Sequence, residues 1–196
     1  MKKSNSELPI FYETANAELA SALEMLTACK LTDSPKQAFG YFMHAKDEFN
    51  HARSFFEMLS IRGKRASIKI ARDFRFTPTL LITKGYISRK GFLIETMKFK
   101  DFIAFVYTNE LLAKSSFENI LILVGHSTKE GRRISSIMGD ELRHHGMAKK
   151  FFLNHYPALQ PWQLMFYRAK ETIFNKGRRI YDANIKFLDR LLTPLY

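Results

Sequence analysis

The sequence predicts an all-α fold, a bundle of four long helices, from three observations. Apolar residues recur at helical spacing along four long stretches of the 196-residue chain. Residues typical of helix ends separate these stretches. Two Glu-x-x-His pairs, Glu48 with His51 and Glu141 with His144, each place a carboxylate and an imidazole on one helix face. We therefore expect a single domain over residues 1–196, with the bundle core at 8–156.

The first two helices are predicted over residues 8–30 and 36–61. Glu18 falls within the apolar stripe of the first helix. Ser34 and Pro35 between them are typical of a helix start, as N-cap and first helical residue. The second helix is expected to stop near Gly63, because glycine favours helix C-termini. These two helices form the first predicted hairpin.

Residues 62–98 predict a long crossover between the second and third helices. The segment carries ten basic residues and lacks a clear helical period. Pro78 is expected to open a short helix through Ile82. A connection of this length can carry the chain to the far end of a bundle.

The second hairpin is predicted from helices at residues 100–124 and about 129–156. Gly125 and His126 end the first of these helices, and residues 127–130 show a capping-box pattern. Glu110 lies among apolar residues of the third helix. Pro157 and Pro161 then break the chain, and residues 161–192 predict an additional C-terminal helical segment.

Composition indicates a globular protein with acidic partners. Hydrophobic residues make up 46% of the chain, and its net charge is +12. The most apolar stretch, 102–124, contains too many polar residues for a membrane span. A single cysteine, Cys29, suits a reducing compartment, so we expect a soluble, cytoplasmic protein. The charge favours tRNA, anionic lipid or an acidic acyl carrier as a partner.

The spacing of four glutamates predicts that they meet at one level of the bundle. Glu18 and Glu48 are 30 residues apart, with their midpoint in the first predicted turn. Glu110 and Glu141 are 31 apart, with their midpoint in the second turn. Antiparallel helices bring residues equidistant from a turn to the same height. Each glutamate is then roughly 22 Å from its turn at about 1.5 Å per residue.

Four carboxylates in an apolar core predict bound divalent cations, because desolvation costs several kcal/mol for each bare charge. Oxygen ligands with one imidazole per metal suit iron, or alternatively manganese, better than zinc. The six candidate ligands, which are also the candidate catalytic residues, are Glu18, Glu48, His51, Glu110, Glu141 and His144.

Four neighbouring residues are candidates for supporting roles. Asp47 and Asp140 can orient the ligand imidazoles, although an exposed position on a solvated helix face would explain them equally. His44 lies one turn before Glu48 and can hydrogen-bond a ligand. Tyr107 can donate a hydrogen bond near the metals or act in redox chemistry, with core packing as its alternative. The alternative for Glu110 itself is an exposed ion pair with Lys114.

The order Glu, Glu-x-x-His, Glu, Glu-x-x-His resembles the ferritin-like di-iron carboxylate superfamily over roughly residues 8–156. The resemblance implies that Glu18 and Glu110 are single-carboxylate ligands, often bridging, and that Glu48 with His51 and Glu141 with His144 complete the two metals. The stretch from Asp140 to His145 is similar to the last ligand motif of demethoxyubiquinone hydroxylases. Bacterial tRNA hydroxylases and aldehyde-deformylating oxygenases share the ligand order.

This resemblance implies a di-iron monooxygenase that activates O2 and oxidises a small, hydrophobic organic substrate. The substrate would bind in a Phe-lined cavity, and an external donor would supply electrons, because the sequence shows no flavin or nicotinamide motif. A ferroxidase or iron-storage protein, in cages or homodimers, is one alternative. A tRNA-modifying hydroxylase is another.

Overall fold

The computed structural model describes residues 7–65, 78–83 and 85–156, and nearly all of this part is helical. Its helices are α1 (Glu7–Leu31), α2 (Pro35–Arg65), α3 (Pro78–Thr83), α4 (Leu93–Thr96), α5 (Phe99–Val124) and α6 (Lys129–His155). Within these ranges no strand forms, and Ser88 and Gly91 make an isolated antiparallel bridge. The all-α class is therefore confirmed. The predicted segment at 161–192 lies outside the described residues.

The helix bounds follow the sequence signals, with two differences. Helix α2 is described as far as Arg65, two residues beyond Gly63, near which it was expected to stop. The cap of α6 is Thr128, whose side chain accepts a hydrogen bond from the Gly131 N–H at 2.9 Å. The N-cap is thus one residue later than Ser127, the first residue of the predicted capping box. Gly125 ends α5 with φ of +88°, a backbone conformation that favours glycine.

Two apolar clusters fill opposite ends of the bundle. The first cluster consists of Phe11, Ala15, Phe55, Phe56, Met58, Leu59, Phe117, Ile120, Leu121, Val124, Ile134 and Ile137. The second cluster consists of Met25, Ala28, Ala45, Phe102, Ile103, Ala104, Val106 and Phe152. Residues from one half of each long helix belong to the first cluster, and residues from the other half belong to the second. Burial of these side chains is the main source of stability for such a bundle.

The two clusters fix the directions of the helices. Helices α1 and α6 contribute their N-terminal halves to the first cluster, whereas α2 and α5 contribute their C-terminal halves. Hence α1 and α2 are antiparallel, α5 and α6 are antiparallel, and α2 and α5 run in the same direction. The segment between α2 and α5 therefore joins opposite ends of the bundle, as the predicted crossover requires.

Part of the crossover is anchored to α1. Leu81 of α3 and the nearby Ile87 are buried against Leu19 and Ala20 of α1. Glu24 of α1 accepts hydrogen bonds from the first two backbone N–H groups of α4, at 2.9 and 2.8 Å. These donors have no partner within the helix, so the carboxylate satisfies them. No helix within the described ranges has the length and apolarity needed to cross a membrane.

Replacing Glu24 by alanine is expected to destabilise the fold by about 1–3 kcal/mol, because two donors lose their acceptor. Chemical denaturation followed by circular dichroism measures this loss. Glu24→Gln keeps one acceptor oxygen and should recover part of it. The control is Glu118→Gln, because Glu118 is exposed and forms an ion pair with Lys114 at 3.3 Å. Equal stability of Glu24→Ala and the control would contradict the anchoring role.

Candidate metal centre

A layer of polar side chains lies in the middle of the bundle, between the two apolar clusters. All six predicted ligands are in this layer, and each is between 2 and 6% exposed. They come from all four long helices: Glu18 from α1, Glu48 and His51 from α2, Glu110 from α5, and Glu141 and His144 from α6. His44 of α2 joins them at 8% exposed. The four glutamates thus lie at one level of the bundle, as their distances from the two turns predict.

The oxygen-rich group consists of Glu18, Glu48, His51 and Glu141, whose potential ligand atoms all lie within 4.8 Å of one another. His51 Nδ1 lies 3.1 Å from Glu141 Oε1 and 3.3 Å from Glu18 Oε2. It lies 3.9 Å from Glu48 Oε1. One imidazole therefore faces three carboxylates contributed by three different helices.

The nitrogen-rich group consists of His44, Glu48, Glu110 and His144, and it meets the same distance limit. His144 Nδ1 lies 3.3 Å from Glu48 Oε1 and 3.5 Å from Glu110 Oε2. Glu48 belongs to both groups. The structure therefore gives the shared position to Glu48, whereas the family resemblance assigned bridging to Glu18 and Glu110. It also places Glu141 with His51 instead of with His144.

The facing atoms point toward common positions in the layer. Seven of them are buried and lack a partner with hydrogen-bond geometry, although neighbours lie 3.1–3.5 Å away. These atoms are Glu18 Oε2, His44 Nε2, Glu48 Oε1, His51 Nδ1, Glu110 Oε2, Glu141 Oε1 and His144 Nδ1. Buried polar atoms without partners are costly, and a shared cation satisfies several at once. Both groups can therefore hold a metal ion.

Two aspartates fix the outer nitrogens of the imidazoles, and each binds the histidine of the opposite helix. His51 Nε2 on α2 lies 3.1 Å from Asp140 Oδ2 on α6. His144 Nε2 on α6 lies 3.2 Å from Asp47 Oδ2 on α2. With Nε2 donating to a carboxylate, the Nδ1 of each ring faces inward, where it can coordinate a metal once it has lost its proton.

Arg143 connects the two aspartates. Its Nη1 donates to Asp140 Oδ1 at 2.6 Å, and its Nη2 donates to Asp47 Oδ2 at 2.8 Å. The guanidinium thus holds both aspartates in place at the surface between α2 and α6. The sequence analysis did not select Arg143. Its position three residues after Asp140 on the same helix was the available signal.

Nearby carboxylates hold protons on the three inward-facing imidazoles. Burial by itself lowers a histidine pKa, but the contacts and negative charges of Glu110 and Glu48 together outweigh it and raise the pKa of His44 to about 10. Contact with Glu141, against the same burial effect, raises the pKa of His51 to about 11. Glu110 likewise raises the pKa of His144 to about 9. All three imidazoles therefore carry a positive charge at neutral pH without metal.

The buried carboxyl groups of the layer are of two kinds, those whose pKa is raised and those whose pKa is lowered. Burial, together with the charge of Glu48, raises the pKa of Glu18 to about 8 and that of Glu141 to about 10. Burial acts in the same direction on Glu48, but its contacts with His144 and His44 prevail and lower its pKa below the usual range. The pKa of Glu110 is also lowered, because the charge of His44 and contact with His144 prevail over burial, so Glu48 and Glu110 are the ionised carboxylates of the layer.

The surroundings of Glu110 and of Tyr107 bear on the roles predicted for these two residues. Lys114 pairs with Glu118, which leaves Glu110 inside the layer and removes its proposed surface ion pair. Tyr107 is 8% exposed, and its ring stacks on His145 with centroids 4.6 Å apart. The role of the six residues as ligands stays a prediction, now supported by their convergence.

Comparisons of the chain with protein-family models, with curated proteins and with solved structures found no match. The class of site is therefore defined by its geometry. It is a buried carboxylate and histidine centre with two adjoining donor groups that share one glutamate.

Metal binding is expected to release protons and to strengthen as pH rises. The three imidazoles hold protons throughout about pH 5 to 8, and each must lose its inward-facing proton to coordinate a metal. Calorimetric titration with Mn²⁺ in buffers of different ionisation enthalpy measures the number released. Binding without proton release, or affinity that does not change with pH, would contradict this assignment of protonation states.

Asp140→Asn is expected to weaken metal affinity by about 10–100-fold while leaving the number of bound ions unchanged. The amide no longer favours the correct tautomer of His51, although the ligands themselves remain. Equilibrium dialysis with Mn²⁺ tests this, with Glu118→Gln as the surface control. If Asp140→Asn matched the control, the aspartate would have no orienting role.

Proposed function

We propose that this chain is a ferritin-like di-iron carboxylate protein and functions as an O2-activating monooxygenase on a small organic substrate. The observation that carries the proposal is the pair of buried donor groups joined by Glu48. The order of helix directions, with parallel α2 and α5 joined by a long crossover, is typical of that bundle architecture and supports the family.

The two hairpins supply equivalent residues, which also supports a dinuclear centre. Asp47, Glu48 and His51 in α2 correspond to Asp140, Glu141 and His144 in α6. Each aspartate binds the histidine of the other helix, so the two halves of the centre hold one another in place. Each donor group takes residues from both helices: Glu48 and His51 with Glu141 in the oxygen-rich group, and His44 and Glu48 with His144 in the nitrogen-rich group.

Carboxylate and imidazole donors are suited to iron or manganese. When bound, a pair of such ions supplies the reduction of O2 that organic side chains cannot perform. The protein's contribution is positional. Glu48 holds the two positions together, Asp47 and Asp140 fix the imidazoles, and the flanking apolar clusters keep bulk water from the layer. Insertion of one oxygen atom into a C–H bond, with the other leaving as water, consumes two electrons and two protons from an external donor.

A cavity of about 350 Å³ lies at the end of the bundle by the α1–α2 turn. Tyr41, Ile94 and Phe99 line it, beside polar residues of the turn, and Phe99 is the one phenylalanine among the described residues of its lining. No residue of the two donor groups lines this cavity, so it is not the Phe-lined cavity expected beside the metals.

The net charge of +12 favours a second candidate, a hydroxylase that receives its substrate attached to an acidic carrier or to tRNA. The metal chemistry would be the same, and only the means of presenting the substrate would differ. Co-purification of RNA that is lost at high salt would favour tRNA.

The Glu48→Ala variant is expected to abolish both iron binding and O2 consumption, because both donor groups lose their shared carboxylate. The metal-free chain is loaded with Fe²⁺ without oxygen and then exposed to air in an oxygen electrode. Glu118→Gln is the matched control and should behave as wild type. Turnover that survives in Glu48→Ala would show that the centre is assigned incorrectly.

The same measurement separates the oxygenase from an iron-storage protein. An oxygenase without substrate and reductant should stop after oxidising the iron in its two donor groups. Continued oxidation of added Fe²⁺ far beyond that amount would identify a ferroxidase and contradict the proposed activity.

A further inference from the structure

The two donor groups differ in composition. The oxygen-rich group offers one imidazole and three carboxylates, whereas the nitrogen-rich group offers two imidazoles and two carboxylates. His44 supplies the second imidazole of the nitrogen-rich group, and Glu141 supplies the third carboxylate of the oxygen-rich group. Metal preference depends on ligand type, so the two positions need not take the same ion equally well.

The position of His44 is that of a ligand. Its Nε2 lies 3.2 Å from Glu48 Oε1 and 3.2 Å from Glu110 Oε1. This nitrogen is buried without a hydrogen-bond partner of suitable geometry, and the residue is only 8% exposed. The imidazole ring lies beside that of His144, with centroids 3.9 Å apart. Both rings therefore present a nitrogen to the same pair of carboxylates, one on α2 and one on α5.

The aspartates that orient the imidazoles lie outside the polar layer, unlike His44. Asp47 and Asp140 contact the outer nitrogens and are partly exposed at the surface. His44 faces the carboxylate oxygens from inside the layer. An orienting role would place it behind a ligand, whereas this arrangement places it among the ligands.

The second hairpin has no counterpart to His44. The equivalent position in α6, four residues before Glu141, is Ile137, which is 3% exposed and belongs to the first apolar cluster. An imidazole at one of two equivalent positions adds a further difference between the two donor groups. The sequence itself places His44 on the ligand face of α2, because His44, Glu48 and His51 lie at i, i+4 and i+7.

We propose that His44 is a third metal-ligating imidazole. The nitrogen-rich group then binds Zn²⁺ or Fe²⁺ first, and the oxygen-rich group prefers Mn²⁺. This inference rests on the proposed dinuclear centre and adds a difference between its two positions. Imidazole donors favour zinc, iron and similar ions, and carboxylate donors favour manganese.

A mixed-metal experiment tests the assignment on the unaltered full chain. One equivalent of Zn²⁺ and then one of Mn²⁺ are added to the metal-free protein, and electron spin echo spectroscopy counts the imidazole nitrogens coupled to Mn²⁺. We expect one coupled imidazole, that of His51, because Zn²⁺ occupies the position with two. Two coupled imidazoles, or a mixture of one and two, would overturn the proposal.

His44→Gln provides the second test, with His126→Gln as the matched control because His126 is exposed in the α5–α6 turn. In a calorimetric titration with Zn²⁺, the tighter of two binding steps should weaken in His44→Gln by more than the roughly 10–100-fold effect of losing an orienting residue. His126→Gln should titrate as wild type. An unchanged first step in a folded His44→Gln protein would overturn the proposal.

The two levels of inference fail in different ways. If the wild-type chain binds no metal, the dinuclear centre fails, and the assignment of His44 fails with it. If the wild type and His44→Gln bind two ions with the same affinities, the dinuclear centre stands and only the role of His44 is refuted. The mixed-metal measurement needs no substitution, so a poorly folded variant leaves it intact.

Discussion

The central layer of the bundle is governed by one electrostatic constraint, the burial of four carboxylates between two apolar clusters. Each is at most 6% exposed, and ionised carboxylates in such surroundings are unstable unless they are paired or coordinated. In the metal-free chain, three charged imidazoles and two protonated carboxyls provide the compensation. A pair of divalent ions would provide it more completely. The same side chains thus account for both the stability of the layer and its capacity for metal.

The arrangement of the helices follows from this constraint. Two hairpins pack so that their glutamates meet at one level, with apolar clusters on both sides to exclude water. The reciprocal contacts of Asp47 with His144 and Asp140 with His51 tie α2 to α6 at that level. Arg143 closes the connection from the surface. A change in the spacing of either Asp-Glu-x-x-His unit would therefore disturb the opposite half of the centre.

Much of this was predictable from the sequence, because the signals are local or depend on symmetry about a turn. Helical periods predict the four long helices, and equal distances from the turns predict that Glu18, Glu48, Glu110 and Glu141 meet at one level. What the sequence did not reveal depends on tertiary contacts. Glu24 accepts hydrogen bonds from α4, about 70 residues away. From the sequence His44 is only a possible hydrogen-bond partner of a ligand, because its contact with Glu110 crosses from α2 to α5.

Anomalous scattering from crystals of the chain grown with Mn²⁺, or with Fe²⁺ in the absence of oxygen, tests the central claim most directly. We predict two anomalous peaks inside the bundle, about 3.5–4 Å apart, with Glu48 contacting both ions. A single peak, peaks confined to the protein surface, or none at all would contradict a dinuclear centre built on these residues.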